Sequence, residues 1–341
     1  MSDSSEYSRE QEVRDTTAQR PHVVILGAGA SLASFPDGDR KGAKLPLMNN
    51  LIEVVGLSPI LSRYGISAPP GANFEDIYSE LYPLDADAKV LREIEAQIEG
   101  YFSALQLPDH ATIYDKLVLS LREKDLIATF NWDPFLYQAC YRNRQVARLP
   151  RVAYLHGSVA IGYCMEHRKK GSRLAQCSVC HKPLTPSRLL YPIAEKDYTS
   201  DPFISAEWSG LKADMQDAFV LTIFGYGAPS SDAAAIALMK AAWGEVKERE
   251  LEQTEIVDIK EKNELARSWE PFIHTHHCDI AQSFDESWLG KHPRRTIEAA
   301  HQQFLEAKFI DENPTPQGLG LPDLQKWFHE LAAFEDSHEA S

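Results

Sequence analysis

A chain of 341 residues with a formal net charge of -15 lacks the basic balance that phosphate-backbone binding needs, which excludes a dedicated nucleic-acid binder. Hydrophobic residues at 43% and charged residues at 25% are ordinary globular values, enough for one large domain or two modest ones. No apolar run approaches the roughly 20 residues of a membrane span, and "MSDSSEYSREQEVRDTTAQR" has no apolar secretory core, so no membrane partner and a cytoplasmic location are expected.

Residues 1–20 are polar and charged and read as a disordered acidic tail. Residues 22–26 read as a buried strand that breaks into Gly-Ala-Gly-Ala-Ser, with a helix beginning near Ser31. Over 48–125 the apolar residues of "PLMNNLIEVVGL", "DADAKVLREIEAQIEGYFSAL" and "HATIYDKLVLSLREK" recur three and four apart, which predicts a helical insertion. "LIATFN" (Leu126 to Asn131) and "VAYLHGS" (Val152 to Ser158) read as further strands. "AFVLTIFGYGAPSSDAAAIALM" reads as strand, glycine turn and helix, and "TEIVDIK" as a short strand. Apolar strands separated by helices predict an α/β domain over 21–260, with a Rossmann-like parallel sheet covered by helices on both faces. Residues 261–334 read as a C-terminal helical extension. Its "TIEAAHQQFLEAKF" and "LPDLQKWFHELAAF" either complete the core or form a self-association surface, and residues 335–341 read as a second disordered tail.

Ligands of such sheets bind beyond the carboxyl ends of the strands. The residues there are therefore the candidates. Gly27, Ala28, Gly29, Ala30 and Ser31 suit a turn that approaches phosphate, with Ser31 as helix cap and donor, although the turn equally suits tight packing. Leu32 stands where a dehydrogenase fingerprint has its third glycine, which argues against hydride transfer. Gly225, Tyr226 and Ser230, or Ser231, repeat the pattern. Asn131 and Asp133 suit sugar hydroxyls, or a turn in which both bond their own backbone. His156, before Gly157, suits a general base or a satisfied core histidine. Asp258 at the end of a late strand suits a ribose hydroxyl.

The five cysteines of a reducing compartment read as metal ligands or buried side chains rather than disulfides. Cys164-x-x-His167 and Cys177-x-x-Cys180, in a 160–185 module rich in Lys, Arg and Gly, have the spacing of a structural zinc site, with His181 competing with His167. "PFIHTHHC" (His274, His276, His277, Cys278) is also metal-like but has no second ligand pair.

In order, "GAGAS", "TFNWD", "LHG", the cysteine module and "FGYGAPSSD" resemble the sirtuin superfamily over roughly residues 22–260. That resemblance implies NAD as substrate, consumed by breaking the nicotinamide–ribose bond. The chain departs from the protein deacylases of the superfamily. The first turn runs into "SFPDGDRKGAKLP", Trp132 replaces an isoleucine, and "RLLYPIAEKDYTSDPF" stands where the Phe-Gly-Glu stretch is expected. In these departures it is similar to the prokaryotic sirtuin-like proteins that hydrolyse NAD in anti-phage defence, whose counterparts of Asn131 and His156 carry catalysis. The resemblance thus implies an NAD glycohydrolase, with a deacylase as one alternative and a non-catalytic NAD or ADP-ribose sensor as another. Because an ungated NAD hydrolase would deplete its host, a homo-oligomer and a separately encoded sensor or ATPase partner are also expected.

Overall fold

His22–Leu26 is buried along its whole length, and a strand with no polar face sits in the middle of a sheet covered on both sides. The computed structural model describes residues 6–82, 88–193, 196–229, 232–245, 249, 251–273 and 278–336. In chain order these form α1 (Arg9–Arg14), β1 (His22–Leu26) and α2 (Ala28–Ser34). The helices α3 (Leu51–Val55), α4 (Ser58–Arg63), α5 (Phe74–Leu81), α6 (Lys89–Ser103) and α7 (Ile113–Leu119) follow. Next come β2 (Leu126–Thr129), α8 (Phe135–Asn143), β3 (Arg151–Tyr154), β4 (Ile161–Cys164), β5 (Lys169–Ser172) and β6 (Thr185–Pro186). The remainder is α9 (Pro202–Asp217), β7 (Val220–Phe224), α10 (Ala233–Trp243), β8 (Gln253–Val257), α11 (Lys262–Ser268), β9 (Cys278–Ala281), α12 (Trp288–Lys291), α13 (Thr296–Ala300) with a π turn over His301–Leu305, and α14 (Leu321–Asp336).

The six-stranded sheet has the order β3-β2-β1-β7-β8-β9, and every neighbouring pair is parallel. This is the Rossmann-like architecture that the strand pattern predicts, wound outward in both directions from β1. Alternate residues of β1 face opposite sides. Val24 and Leu26 join a core shared with α3 to α8 and α14, whereas Val23 and Ile25 join one shared with α9, α10 and α11. Burying each such side chain contributes about 1.5–3 kcal/mol. The register aligns Leu26 with Thr129 and Phe224, and Phe224 with Val257, so the residues after four strands emerge along one edge.

Several boundaries differ from the sequence expectations. The tail over 1–20 is not disordered where it is described. α1 carries a capping box at Ser8, and Glu12, fully buried, lies 3.0 Å from Nδ1 of His292. Its partners are about 280 residues away, beyond any local pattern. Nor is 261–334 purely helical, because β9 adds the sixth strand beside β8. Nor does a tail begin at 335, since Glu335 receives Arg294 and Arg295 within α14; 337–341 lie outside the described residues. α14 itself buries Leu324, Phe328 and Leu331 in the core, which decides for core completion over an exposed apolar face. His274, His276 and His277 lie outside the described residues, and Cys278 opens β9.

Candidate functional site

A cavity of about 740 Å³ opens at the carboxyl edge of the sheet beyond β1 and β7, from which the strand order runs outward in opposite directions, within the roughly 300–1,000 Å³ of small-molecule sites. Its wall includes Gly27, Ala28, Gly29, Ser31, Asn131, Asp133, His156, Gly225, Tyr226 and Asp258, so the predicted residues from five separate stretches meet around one space. Ala30 lies behind them in the core, and Ser230 lies outside the described residues.

The two glycine turns interlock. Gly27 N–H donates to the Phe224 carbonyl at 3.1 Å, and Gly29 N–H donates to the Gly225 carbonyl at 2.8 Å. Gly225 has φ +59°, and a Cβ there would stand 2.1 Å from the backbone nitrogen of Ala30. The need for glycine is thus met by backbone crossing backbone, and the Gly29 amide already has an acceptor. Gly225→Ala is expected to lose several kcal/mol of stability through that clash and the positive φ, read as a large fall in melting temperature or insoluble expression.

Ser31 does not cap the helix, which starts at Ala28 with Gly27 as its N-cap. One turn inside α2, its Oγ–H donates to Asp133 Oδ2 at 2.7 Å, and its oxygen lies 2.7 Å from the Tyr114 hydroxyl and 3.0 Å from Asn131 Nδ2. Asn131 Nδ2 also donates to the Gly27 carbonyl at 2.9 Å. Asp133 Oδ1 accepts from Phe135 N–H at 3.1 Å, the side-chain-to-backbone turn that its sequence position suits. Burial pushes the Asp133 carboxyl up to about 6, against the opposing pull of Ser31 and Phe135.

β3 ends at Tyr154, so His156 lies in the following turn rather than in the strand. Its carbonyl accepts from Leu190 N–H at 3.0 Å, and the edge of its ring meets Phe130, which stacks on Tyr226 at 4.2 Å. His156 Nε2 lies 3.3 Å from the Tyr198 hydroxyl and 3.8 Å from Asp232. Asp232 in turn holds the buried Lys196 ammonium and accepts from the Tyr226 hydroxyl at 2.8 Å. Burial lowers His156 to about 4, Asp232 opposing and Lys196 adding to the shift, so the imidazole is in its neutral, base form at neutral pH. Asp258, half-buried at the end of β8, accepts from Lys260 N–H at 3.1 Å.

Tyr114, Lys196, Tyr198 and Asp232 were not among the residues picked out by motif. Asp232 closes "FGYGAPSSD", so its place after a glycine turn is a usable signal; the others reach the site from outside any motif.

The cysteine module forms a three-stranded antiparallel sheet, β5-β4-β6. Ligand atoms of Cys164, His167, Cys177 and Cys180 all lie within 4.8 Å of one another. Cys164 Sγ is 3.6 Å from His167 Nδ1 and 3.8 Å from Cys180 Sγ, and Cys177 Sγ is 3.7 Å from His167 Nδ1. Those are the edges of a tetrahedron around an ion bonded at roughly 2.0–2.3 Å, the geometry of structural zinc. His167 completes the set, and His181 is exposed with its N–H on the Cys177 carbonyl. With every corner filled by protein, zinc here would stabilise the fold rather than touch a substrate.

No family profile and no curated protein matches the chain. Among solved structures it is similar to a Sir2 homolog–NAD complex at 12% identity and a TM-score of 0.39, covering 87% of this chain and 93% of that one. It is also similar to a mutant Sir2 homologue in complex with 2'-O-acetyl ADP ribose, at 15% identity and a TM-score of 0.43, covering 85% and 97%. The fold assignment rests on the strand order and turn geometry of this chain rather than on these distant likenesses.

Proposed function

We propose that the chain is a sirtuin-like NAD glycohydrolase, which cleaves the nicotinamide–ribose bond to give nicotinamide and ADP-ribose. One observation carries this reading: Asn131 and a neutral, buried His156 share the wall of one cavity beyond the carboxyl ends of β1 and β7. The glycosidic bond breaks with its electron pair leaving on the ring nitrogen, which turns a cationic ring into neutral nicotinamide. Positive charge then develops on the ribose, as in other glycoside cleavages. Asn131 orients water or a ribose hydroxyl, the water oxygen bonds to the ribose carbon, and His156 takes the released proton. The diphosphate lies against the turn over 27–31, and Asp258 accepts from the adenosine ribose.

Purified protein given NAD alone is expected to release both products. Release that waits on an acylated lysine peptide would mark a deacylase instead, and tight binding without turnover a sensor. The motif resemblance also supports a role in anti-phage defence through NAD depletion in the cytoplasm, with activity gated by homo-oligomerisation and a separately encoded sensor or ATPase. A monomer by light scattering at micromolar concentration, fully active with no added factor, would defeat that gating.

A further inference from the structure

We propose that Tyr114, which belongs to none of the motifs around the cavity, is a positioning residue that locks the Asn131 amide with its nitrogen toward the protein and its oxygen toward the ligand. For its kinetic readout alone, the proposal rests on the NAD hydrolase reading.

Hydrogen-bond directions follow from what each group can do. The Gly27 carbonyl can only accept, so the Asn131 atom 2.9 Å from it is the nitrogen. The Ser31 hydroxyl proton goes to Asp133 Oδ2, which leaves the Ser31 oxygen as an acceptor. Tyr114 therefore donates to Ser31 at 2.7 Å, and its own oxygen accepts from Asn131 Nδ2 at 3.2 Å. The chain of donors runs Asn131 to Tyr114 to Ser31 to Asp133, and Asn131 Nδ2 also reaches Ser31 Oγ directly at 3.0 Å, so its second hydrogen is shared between the two hydroxyl oxygens. Burial and the Asp133 charge raise the Tyr114 phenol far above its ordinary value, so it keeps the proton that this direction requires. Its ring is fixed edge-on to Phe35 at 5.6 Å, and α7, which carries it, starts with a capping box between Thr112 and Asp115.

Both Nδ2 hydrogens thus have protein acceptors, while Oδ1 receives no hydrogen bond from the described residues. A flipped amide would set Oδ1 against the Gly27 carbonyl, acceptor against acceptor. The ligand group that Asn131 meets must then be a donor, a hydroxyl or water rather than a carbonyl or phosphate oxygen.

Tyr114→Phe keeps the ring and removes only the hydroxyl. It is expected to lower kcat for nicotinamide release about tenfold or more, with KM for NAD within about threefold. In an Asn131→Ala background the same change should have no further effect. Independently of activity, the Asn131 side-chain amide signals in ¹⁵N spectra, assigned by their loss in Asn131→Ala, should exchange with solvent faster in Tyr114→Phe. Unchanged exchange, intact kcat in an active parent, or an equal loss in both backgrounds overturns the proposal. A parent that releases no nicotinamide defeats the hydrolase reading alone, and the exchange rate then decides the role of Tyr114.

Discussion

On the hydrolase reading, His156→Ala and Asn131→Ala are each expected to reduce NAD turnover by about 10²–10⁴-fold, the range over which a positioned acid–base group accelerates a reaction. The His156 variant leaves the backbone bond from Leu190 in place but removes a buried ring packed on Phe130 and Tyr198, so it too is expected to lose on the order of 1–3 kcal/mol of stability. Asn131→Ala also removes three side-chain contacts, to Gly27, Ser31 and Tyr114, and is expected to cost on the order of 1–3 kcal/mol of stability as well. Circular dichroism and zinc content alongside the assay separate lost chemistry from lost fold. The pH profile carries a second check. Because His156 titrates near 4, turnover should hold on the acid side of neutrality and fall only as pH drops through about 4. The same depressed value means that the histidine's contribution to stability is complete above its ordinary value of 6.5 and is lost as pH falls toward about 4. Full activity in both variants would remove the basis for the assignment.

Cys177→Ser or Cys180→Ser abolishes metal binding, taking the zinc content from about one per chain to none. The module is not an isolated appendage. Ser158 N–H donates to Ser187 Oγ at 3.0 Å, and Leu190 N–H reaches the His156 carbonyl, so the segment leaving β6 is tied to the turn that carries the proposed base. Losing the ion should therefore lower the melting temperature by about 10 °C, on the order of 5 kcal/mol for a chain of this size, with partial loss of soluble protein. Turnover per folded molecule, measured well below the transition, should survive, because no ligand position is left for substrate. Selective loss of turnover with an unchanged melting temperature would assign the ion a catalytic part. A folded protein with no metal at all would refute the site.

Strands β1, β2 and β7 were legible because parallel strands buried on both faces are mostly apolar, as "HVVIL" and "VLTIF" are apart from the buried His22 and Thr222. The zinc ligands were legible because coordination fixes spacing as well as residue type. β9 was not, since "CDIA" is a short edge strand, mostly half-exposed, with no apolar run. α1 was missed for a different reason, its Glu12 carboxylate being matched by His292 and its Val13 carbonyl by Arg295 at the other end of the chain. The glycine turns show where a motif underdetermines its cause. Gly27 and Gly29 read as a phosphate approach, yet the backbone of Gly225 already fills the space beside them. Ser31 likewise read as a cap and proved to be the hub joining Asp133, Asn131 and Tyr114, a role set by side chains about 80 to 100 residues away.

The most direct measurement is product analysis on the purified protein incubated with NAD and no peptide, across a wide range of protein concentration. The hydrolase reading predicts nicotinamide and ADP-ribose in equal amounts, reduced about 10²-fold or more by His156→Ala. Release only in the presence of an acylated lysine peptide, with the acyl group recovered on ADP-ribose, would contradict it.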